Sequence, residues 1–297
     1  MSAVEMKSAP IGFVGTGVMG GSMAGHLLDA GHALRIFTRT RAKARALIDR
    51  GAVWEESPAA LARGCDVIFT MVGFPSDVED LYLGAGGLLA HMRAGALLTD
   101  FTTSRPDLAV RIAAEAARRG GAALDAPVSG GDKGAREATL SIMVGGSGDA
   151  LARVLPLLRL MGRQIVHQGP AGSGQHCKMC NQIAVAANVL GVCEAMGYAQ
   201  RSGLDAGRVL ESISSGAAGS WMLSNLAPRM LAGDFKPGFY VKHIVKDLGI
   251  AIASARAMGL DLPGLMLAER LYHELQDQGF GNAGTQALFM RYVSEST

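Results

Sequence analysis

The sequence predicts an α/β domain built on a mostly parallel sheet, followed by an all-α domain, with one long helix joining them. Two observations carry this. From Ile11 to about Gln168, short β-rich runs alternate with segments of helical period, which is the pattern of βαβ units. After Gly174 the strand-like runs stop, and alanine, leucine and methionine recur at helical spacing. A length of 297 residues suits two ordinary domains.

Taken in order, strands are expected at 11–15, 33–37, 52–54, 66–72, 95–99, 121–125, 140–145 and 163–167, with helices between most of them, for example at 18–30, 41–50, 76–82, 106–119 and 148–161. Between 121–125 and 140–145 no apolar pattern of helix length occurs, so the far edge of the sheet is expected to turn mixed. Gly169-Pro170-Ala171-Gly172-Ser173-Gly174 punctuates the chain, and the domains are drawn as 1–170 and 171–297. Helices then follow at 175–202, 205–214, 221–232, 241–258 and 263–278; the first, at 1.5 Å per residue, spans roughly 40 Å and connects the domains.

Composition narrows the function classes. The chain is 49% hydrophobic and 18% charged, and 28 basic against 26 acidic residues leave a formal charge of +2. That excludes disorder and offers no charge excess for nucleic acid or an anionic membrane. No run of 18 apolar residues occurs, the stretch Ile183 to Cys193 being interrupted by Asn188. The opening MSAVEMKSAP lacks the pattern of a signal peptide, and four cysteines (Cys65, Cys177, Cys180, Cys193) are too few for a secreted disulfide framework. A cytoplasmic protein is expected. Forty glycines imply many tight turns or close backbone approaches.

One group of glycines has a specific reading. Gly15, Gly17 and Gly20 form G-x-G-x-x-G in GFVGTGVMG, directly after a predicted strand and at the opening of a predicted helix. In a Rossmann dinucleotide-binding domain the first permits the tight turn, the second lets the backbone approach a pyrophosphate, and the third lets helix and strand pack closely. Thr16, Val18 and Met19 belong to the same loop. An NAD-preferring site would end its second strand in Asp or Glu, whereas here the run is Phe37-Thr38-Arg39-Thr40-Arg41. Guanidinium groups where a 2′-phosphate would lie predict NADP as the preferred cofactor, with NAD possible. The alternative is that Arg39 and Arg41 are solvated first-turn charges.

Further along, Asp125-Ala126-Pro127-Val128-Ser129-Gly130-Gly131, then Gly172 through Gln182 (GSGQHCKMCNQ), then Lys246-Asp247-Leu248 complete a set of four ordered signatures. In these the chain resembles the β-hydroxyacid dehydrogenase family, which includes 3-hydroxyisobutyrate dehydrogenase, tartronate semialdehyde reductase and the glyoxylate/succinic semialdehyde reductases. The resemblance implies an NAD(P)-dependent oxidoreductase with a 6-phosphogluconate dehydrogenase-like C-terminal domain, a small carboxylate substrate, and a homodimer or homotetramer. It gives Lys178 the acid/base role and Asn181 that of bonding the substrate or orienting the lysine. It also brings Met71, Val72 and Thr103 to the nicotinamide half of the cofactor, Lys246 beside the active site, and Asp247 near the substrate or the domain interface.

The residues support that chemistry on their own terms. Asn181 and Gln182 follow Lys178 by three and four positions and share its helix face. Reducing an aldehyde needs a hydride and a proton for the developing alkoxide, and an ammonium aimed at that oxygen supplies the proton and stabilises the charge. Ser129, Gly130 and Gly131 follow a strand, and successive N–H groups there can cradle a carboxylate, although an ordinary turn is the competing reading. Cys177 and Cys180 flank Lys178 without a second C-x-x-C, so no metal is expected. Trp221 and Phe239 suit either a pocket wall or core packing. Gln182 stands where 3-hydroxyisobutyrate dehydrogenases often have asparagine, closer to the tartronate semialdehyde reductases, and Lys178 argues against the imine reductases, which share the architecture but lack the lysine. A catalytically silent NADP-binding sensor of the same fold is the alternative function.

Overall fold

The structure is a computed structural model and describes residues 9–293. The opening segment expected to carry no signal peptide lies, through Ser8, outside the described residues. The chain divides into two compact units, Met1–Lys178 and Met179–Thr297, and the change from one to the other falls within the long helix.

In the first unit the strands are β1 Ile11–Val14, β2 Leu34–Phe37, β3 Val53–Trp54, β4 Val67–Thr70, β5 Leu97–Asp100, β6 Ala122–Asp125, β7 Val128–Ser129, β8 Leu140–Gly145 and β9 Gly162–Gly169. They lie in the order β3-β2-β1-β4-β5-β6-β8-β7, with β9 on the other edge of β8. The first six are parallel and reproduce the Rossmann order, with its reversal between β1 and β4. Beyond β6 the sheet turns mixed, as expected. β6 and β7 form one antiparallel ladder along β8, in which Asp125 faces Gly145 and Val128 faces Ile142.

Alternating side chains divide the core between the two faces of the sheet. Ile11, Phe13, Val67, Phe69 and Leu97 join a cluster with Met23 and Leu27 of α1 (Val18–Asp29). Val14, Ile68 and Leu98 join one with Leu61 of α3 (Pro58–Gly64) and Leu108 of α6 (Pro106–Arg118). Burial on both faces explains why these strands read as continuous apolar runs. Between α1 and α3 lies the short α2 (Arg45–Asp49); α4 (Pro75–Leu83) and α5 (Leu88–His91) follow β4. α7 (Gly131–Arg136) and α8 (Gly148–Leu158) complete this unit's own helices.

The 29-residue helix α9 (Ser173–Arg201) runs from the first unit into the second. It is the one helix among the described residues long and apolar enough to cross a membrane, yet Ala186, Val189, Cys193 and Met196 are buried in the second unit's core. There it is joined by α10 (Ala206–Ser214), α11 (Trp221–Asn225), α12 (Ala227–Leu231), α13 (Val241–Ala257), α14 (Pro263–Asp277) and α15 (Met290–Val293). The span 221–232, expected as one helix, is two. Pro228 sits in the first turn of the second piece; inside a continuous helix it would offer no N–H and would crowd the preceding turn.

Candidate active site

Parallel register aligns the strand ends: Val14 pairs with Phe37 and Thr70, Thr70 with Asp100, and Asp100 with Asp125. The loops holding Gly15–Gly20, Thr38–Thr40, Met71–Val72, Thr102–Thr103 and Pro127 therefore leave the same edge of the sheet. Such carboxyl ends, at the reversal of strand order, are where ligands bind in open α/β sheets.

The first loop is shaped by its glycines. Gly15 has φ +92°, and a side chain there would collide with the Met71 carbonyl oxygen, while one at Gly20 would collide with the carbonyl oxygen of Gly15. At Gly17 a Cβ would meet nothing within 4 Å. Gly17 is also the N-cap of α1, without a side-chain cap, and no acidic residue stands in the first turn. The helix opening keeps its N–H groups and its partial positive charge for an anion. Thr16 is buried with its hydroxyl lacking a hydrogen-bond partner. An orphaned buried hydroxyl beside an uncapped helix start and open space fits a pyrophosphate cradle. Val18 is exposed and Met19 half-buried at the same turn.

Beyond β2, Thr38 is half-buried, and Thr40 and Arg39 are exposed. Arg39 pairs with Asp77 at 2.9 Å, its side chain 80% exposed. Arg41, by contrast, lies over the Trp54 ring at 5.5 Å. The two guanidinium groups are thus not equivalent.

Below the loops runs a buried polar network that sequence reasoning did not single out. Thr70 Oγ1 donates to Asp100 Oδ1 (2.7 Å), so the Tyr82 hydroxyl, 2.8 Å away, must donate to Thr70. The Thr102 N–H also donates to Asp100 Oδ1, and Thr102 Oγ1 accepts from the Val72 N–H. Burial pushes the Asp100 carboxyl up to about 6 against the hydrogen bonds from Thr102 and Thr70, and the Tyr82 hydroxyl is driven well above its ordinary range for the same reason.

From Thr102 the network reaches α9. Gln175 donates through Nε2 to the Thr102 carbonyl (2.8 Å) and accepts through Oε1 from the Ser104 N–H (2.9 Å). Asp125 accepts from the N–H groups of Gly172 and Gln175, both at 2.8 Å, and so caps the start of this helix with a carboxylate. Burial raises the Asp125 pKa, opposed by these backbone bonds. A side chain at Gly145 or Gly174 would run into the Asp125 carboxylate. The sequence signal was an aspartate ending each of two adjacent parallel strands. Lys178, one turn below this anchor, is 7% exposed.

Ser129 ends β7, and Gly130, the N-cap of α7, and Gly131, its first residue, take φ values of +129° and +62°. Both glycines are exposed. The helix they open packs on α1, with the His26 imidazole 2.8 Å from the Ala135 carbonyl.

In the second unit Asn181 Nδ2 donates to Gln182 Oε1 (2.7 Å), and Gln182 Nε2 donates to Asp247 Oδ2 (2.6 Å). Lys246 pairs with the other carboxylate oxygen at 3.0 Å. Burial first, then the Lys246 charge, lowers the nearby His243 imidazole to about 4 against the pull of Asp247. Trp221 is exposed and Phe239 is packed against the helical core.

Residues 10–169 match the family model described as the NAD binding domain of 6-phosphogluconate dehydrogenase, and residues 172–292 match that described as the NAD-binding region of NADP-dependent 3-hydroxyisobutyrate dehydrogenase. The uncharacterized oxidoreductase YkwC of Bacillus subtilis is 56% identical, over 95% of this chain and 98% of its own. The 2-hydroxy-3-oxopropionate reductase of Escherichia coli is 38% identical, over 94% and 95%. Among solved structures, the 3-hydroxyisobutyrate dehydrogenase of Mycobacterium tuberculosis with L-serine superimposes with a TM-score of 0.88 at 31% identity, covering 96% of this chain and 99% of that one. With the Rossmann strand order, the glycine loop and the helical second unit, these matches establish that the chain belongs to the β-hydroxyacid dehydrogenase family and is an oxidoreductase that uses a nicotinamide dinucleotide.

Proposed function

We propose that this oxidoreductase interconverts a small carboxylate-bearing aldehyde, either a semialdehyde or glyoxylate, and its hydroxy acid, with NADP preferred and Lys178 as proton donor and acceptor. The observation that carries the reading is the placement of Lys178, buried one turn into a helix whose start is bonded to Asp125 and Thr102 at the ligand edge of the sheet.

Gly15, Thr16, Gly17, Val18, Met19 and Gly20 would hold the pyrophosphate, and Thr38, Arg39 and Thr40 the adenosine end. Met71, Val72 and Thr103 would border the nicotinamide half, with Lys246 close by. When bound, the dinucleotide supplies or takes up the hydride. In the reducing direction the carbonyl π bond opens as the carbon gains hydride, and the oxygen takes a proton from the Lys178 ammonium; the amine left behind regains one from water. Oxidation runs the same path backwards, with neutral Lys178 removing the hydroxyl proton. Ser129, Gly130 and Gly131 would receive the substrate carboxylate on backbone N–H groups. Asn181, a turn beyond Lys178, would orient the lysine or the reacting oxygen.

For the cofactor, magnitudes favour Arg39. An exposed ion pair such as Arg39–Asp77 contributes about 0.2–1 kcal/mol, whereas a charge-assisted bond to a phosphate is worth about 1.5–3. Asp77 therefore yields readily to a 2′-phosphate, and Arg41 stays on Trp54.

Steady-state kinetics with glyoxylate, succinic semialdehyde, tartronate semialdehyde and 3-hydroxyisobutyrate, each with both cofactors, tests the proposal. Turnover of at least one substrate, with kcat/KM higher for the 2′-phosphorylated cofactor, is the expected result. Cofactor binding without turnover anywhere in the panel would overturn it.

A further inference from the structure

Asn181 does not choose its own orientation. A carboxylate only accepts hydrogen bonds, so Asp247 Oδ2 obliges Gln182 to present its NH2 group, here at 2.6 Å. Gln182 must then turn its oxygen toward Asn181, and Asn181 must answer with its own NH2, at 2.7 Å. Gln182 is 2% exposed and Asp247 1%, so water does not offer either an alternative partner. The chain leaves Asn181 with an acceptor, Oδ1, outside it. The Lys246 ammonium stands 3.0 Å from the other oxygen of Asp247 as an ion pair rather than a formed hydrogen bond, and its charge marks that oxygen as the starting end.

We infer that Asp247 is a positioning residue that acts through Gln182 to set the polarity of the Asn181 amide, so that Asn181 presents oxygen rather than NH2 to the reacting groups. This rests on the reading above, in which Lys178 and Asn181 share the site. The polarity suits it. An ammonium at Lys178, three residues earlier on the helix, and the hydroxyl of a hydroxy acid are both donors, and an amide oxygen suits either. The residue after Asn181 is part of the device because, opposite a carboxylate at 247, a side chain at that position must carry one acceptor and one donor.

Asp247→Asn is the direct test. The new amide keeps its oxygen toward Lys246 and faces Gln182 with NH2; Gln182 flips, Asn181 flips in turn, and the site receives a donor. The expected result is a fall in kcat of about tenfold or more, with cofactor Kd and Tm close to those of the parent. The double variant Gln182→Glu/Asp247→Asn moves the acceptor-only group one link along. The amide at 247 then donates to the carboxylate at 182, which accepts from Asn181 and restores the original polarity. Most of the lost kcat should return, which a merely structural role for Asp247 does not predict. Turnover of Asp247→Asn within twofold of the parent, or a double variant no faster than the single one, overturns the inference. A neutron structure of the cofactor-free protein reads the polarity without turnover: deuterium on the Asn181 nitrogen directed at Gln182 supports it, and the reverse overturns it. Failure of the substrate panel with that polarity observed would sink the reaction and leave the amide chain standing.

Discussion

At the scale of single residues, the glycines of the first loop do different jobs, and substitution separates them. Gly15 and Gly20 are required by the protein itself, because a Cβ at either would strike backbone, whereas Gly17 faces open space. Gly17→Ala should leave folding stability within about 0.5 kcal/mol of the parent while weakening cofactor binding. Gly15→Ala, at φ +92°, should lose about 1 kcal/mol or more. Denaturant titration and fluorescence titration of the cofactor check the pair; a Gly17→Ala protein that binds as tightly as the parent would show that nothing approaches this backbone. Arg39 carries the second prediction. Arg39→Ala should cut the preference for NADP over NAD by roughly tenfold to a hundredfold, read as the ratio of kcat/KM values. An unchanged ratio would show that the phosphate is held by other groups.

At the scale of elements, the ends of β5 and β6 matter most, because two buried aspartates support the loops and the start of α9. Asp100 has a measurable consequence. Its carboxyl titrates at about 6 when folded against an ordinary 3.8, so between those values the folded protein holds the extra proton. Stability from this group is therefore lost as pH rises from about 4 to about 6, by about 3 kcal/mol, and is level above. Asp100→Asn keeps an acceptor for Thr70 and Thr102 and removes the titration. Its denaturation midpoint should exceed the parent's at pH 8, the difference shrinking by pH 4; two parallel curves would contradict the assignment.

The elements also show what the residues spelled out and what they did not. The apolar runs of β1, β4 and β5 were legible because burial on both faces leaves no polar alternation to confuse them. The pair Val128–Ser129 was not, since two residues carry no period, and α7 hides in a glycine-rich run. α3 shows itself in the sequence mainly through its ends, Ser57 capping it and Pro58 opening it, because seven residues give too little helical repeat. Within the site, the loops were read from glycine spacing and family signatures. The Asp100–Thr102–Gln175 network was not, because Gln175 lies some 70 positions from Thr102 and only the fold brings them together.

At the scale of the whole molecule, the sheet gathers the loops at one edge, and a single helix begins at that edge and continues into the helical unit. The helix starts under Asp125 and Gln175, reaches Lys178 a turn later, and carries Asn181 and Gln182 in the next. Chain connectivity thus sets the proposed acid one turn from the anchored start of the helix, and its amide neighbour three residues further along the same helix. The central claim is that the Lys178 ammonium moves the proton. The most direct measurement is single-turnover reduction of the best substrate by Lys178→Ala, monitored at the nicotinamide absorbance with cofactor Kd determined in parallel. The account predicts a rate lower by roughly 100- to 10,000-fold with Kd nearly unchanged; a rate equal to the parent's would contradict it.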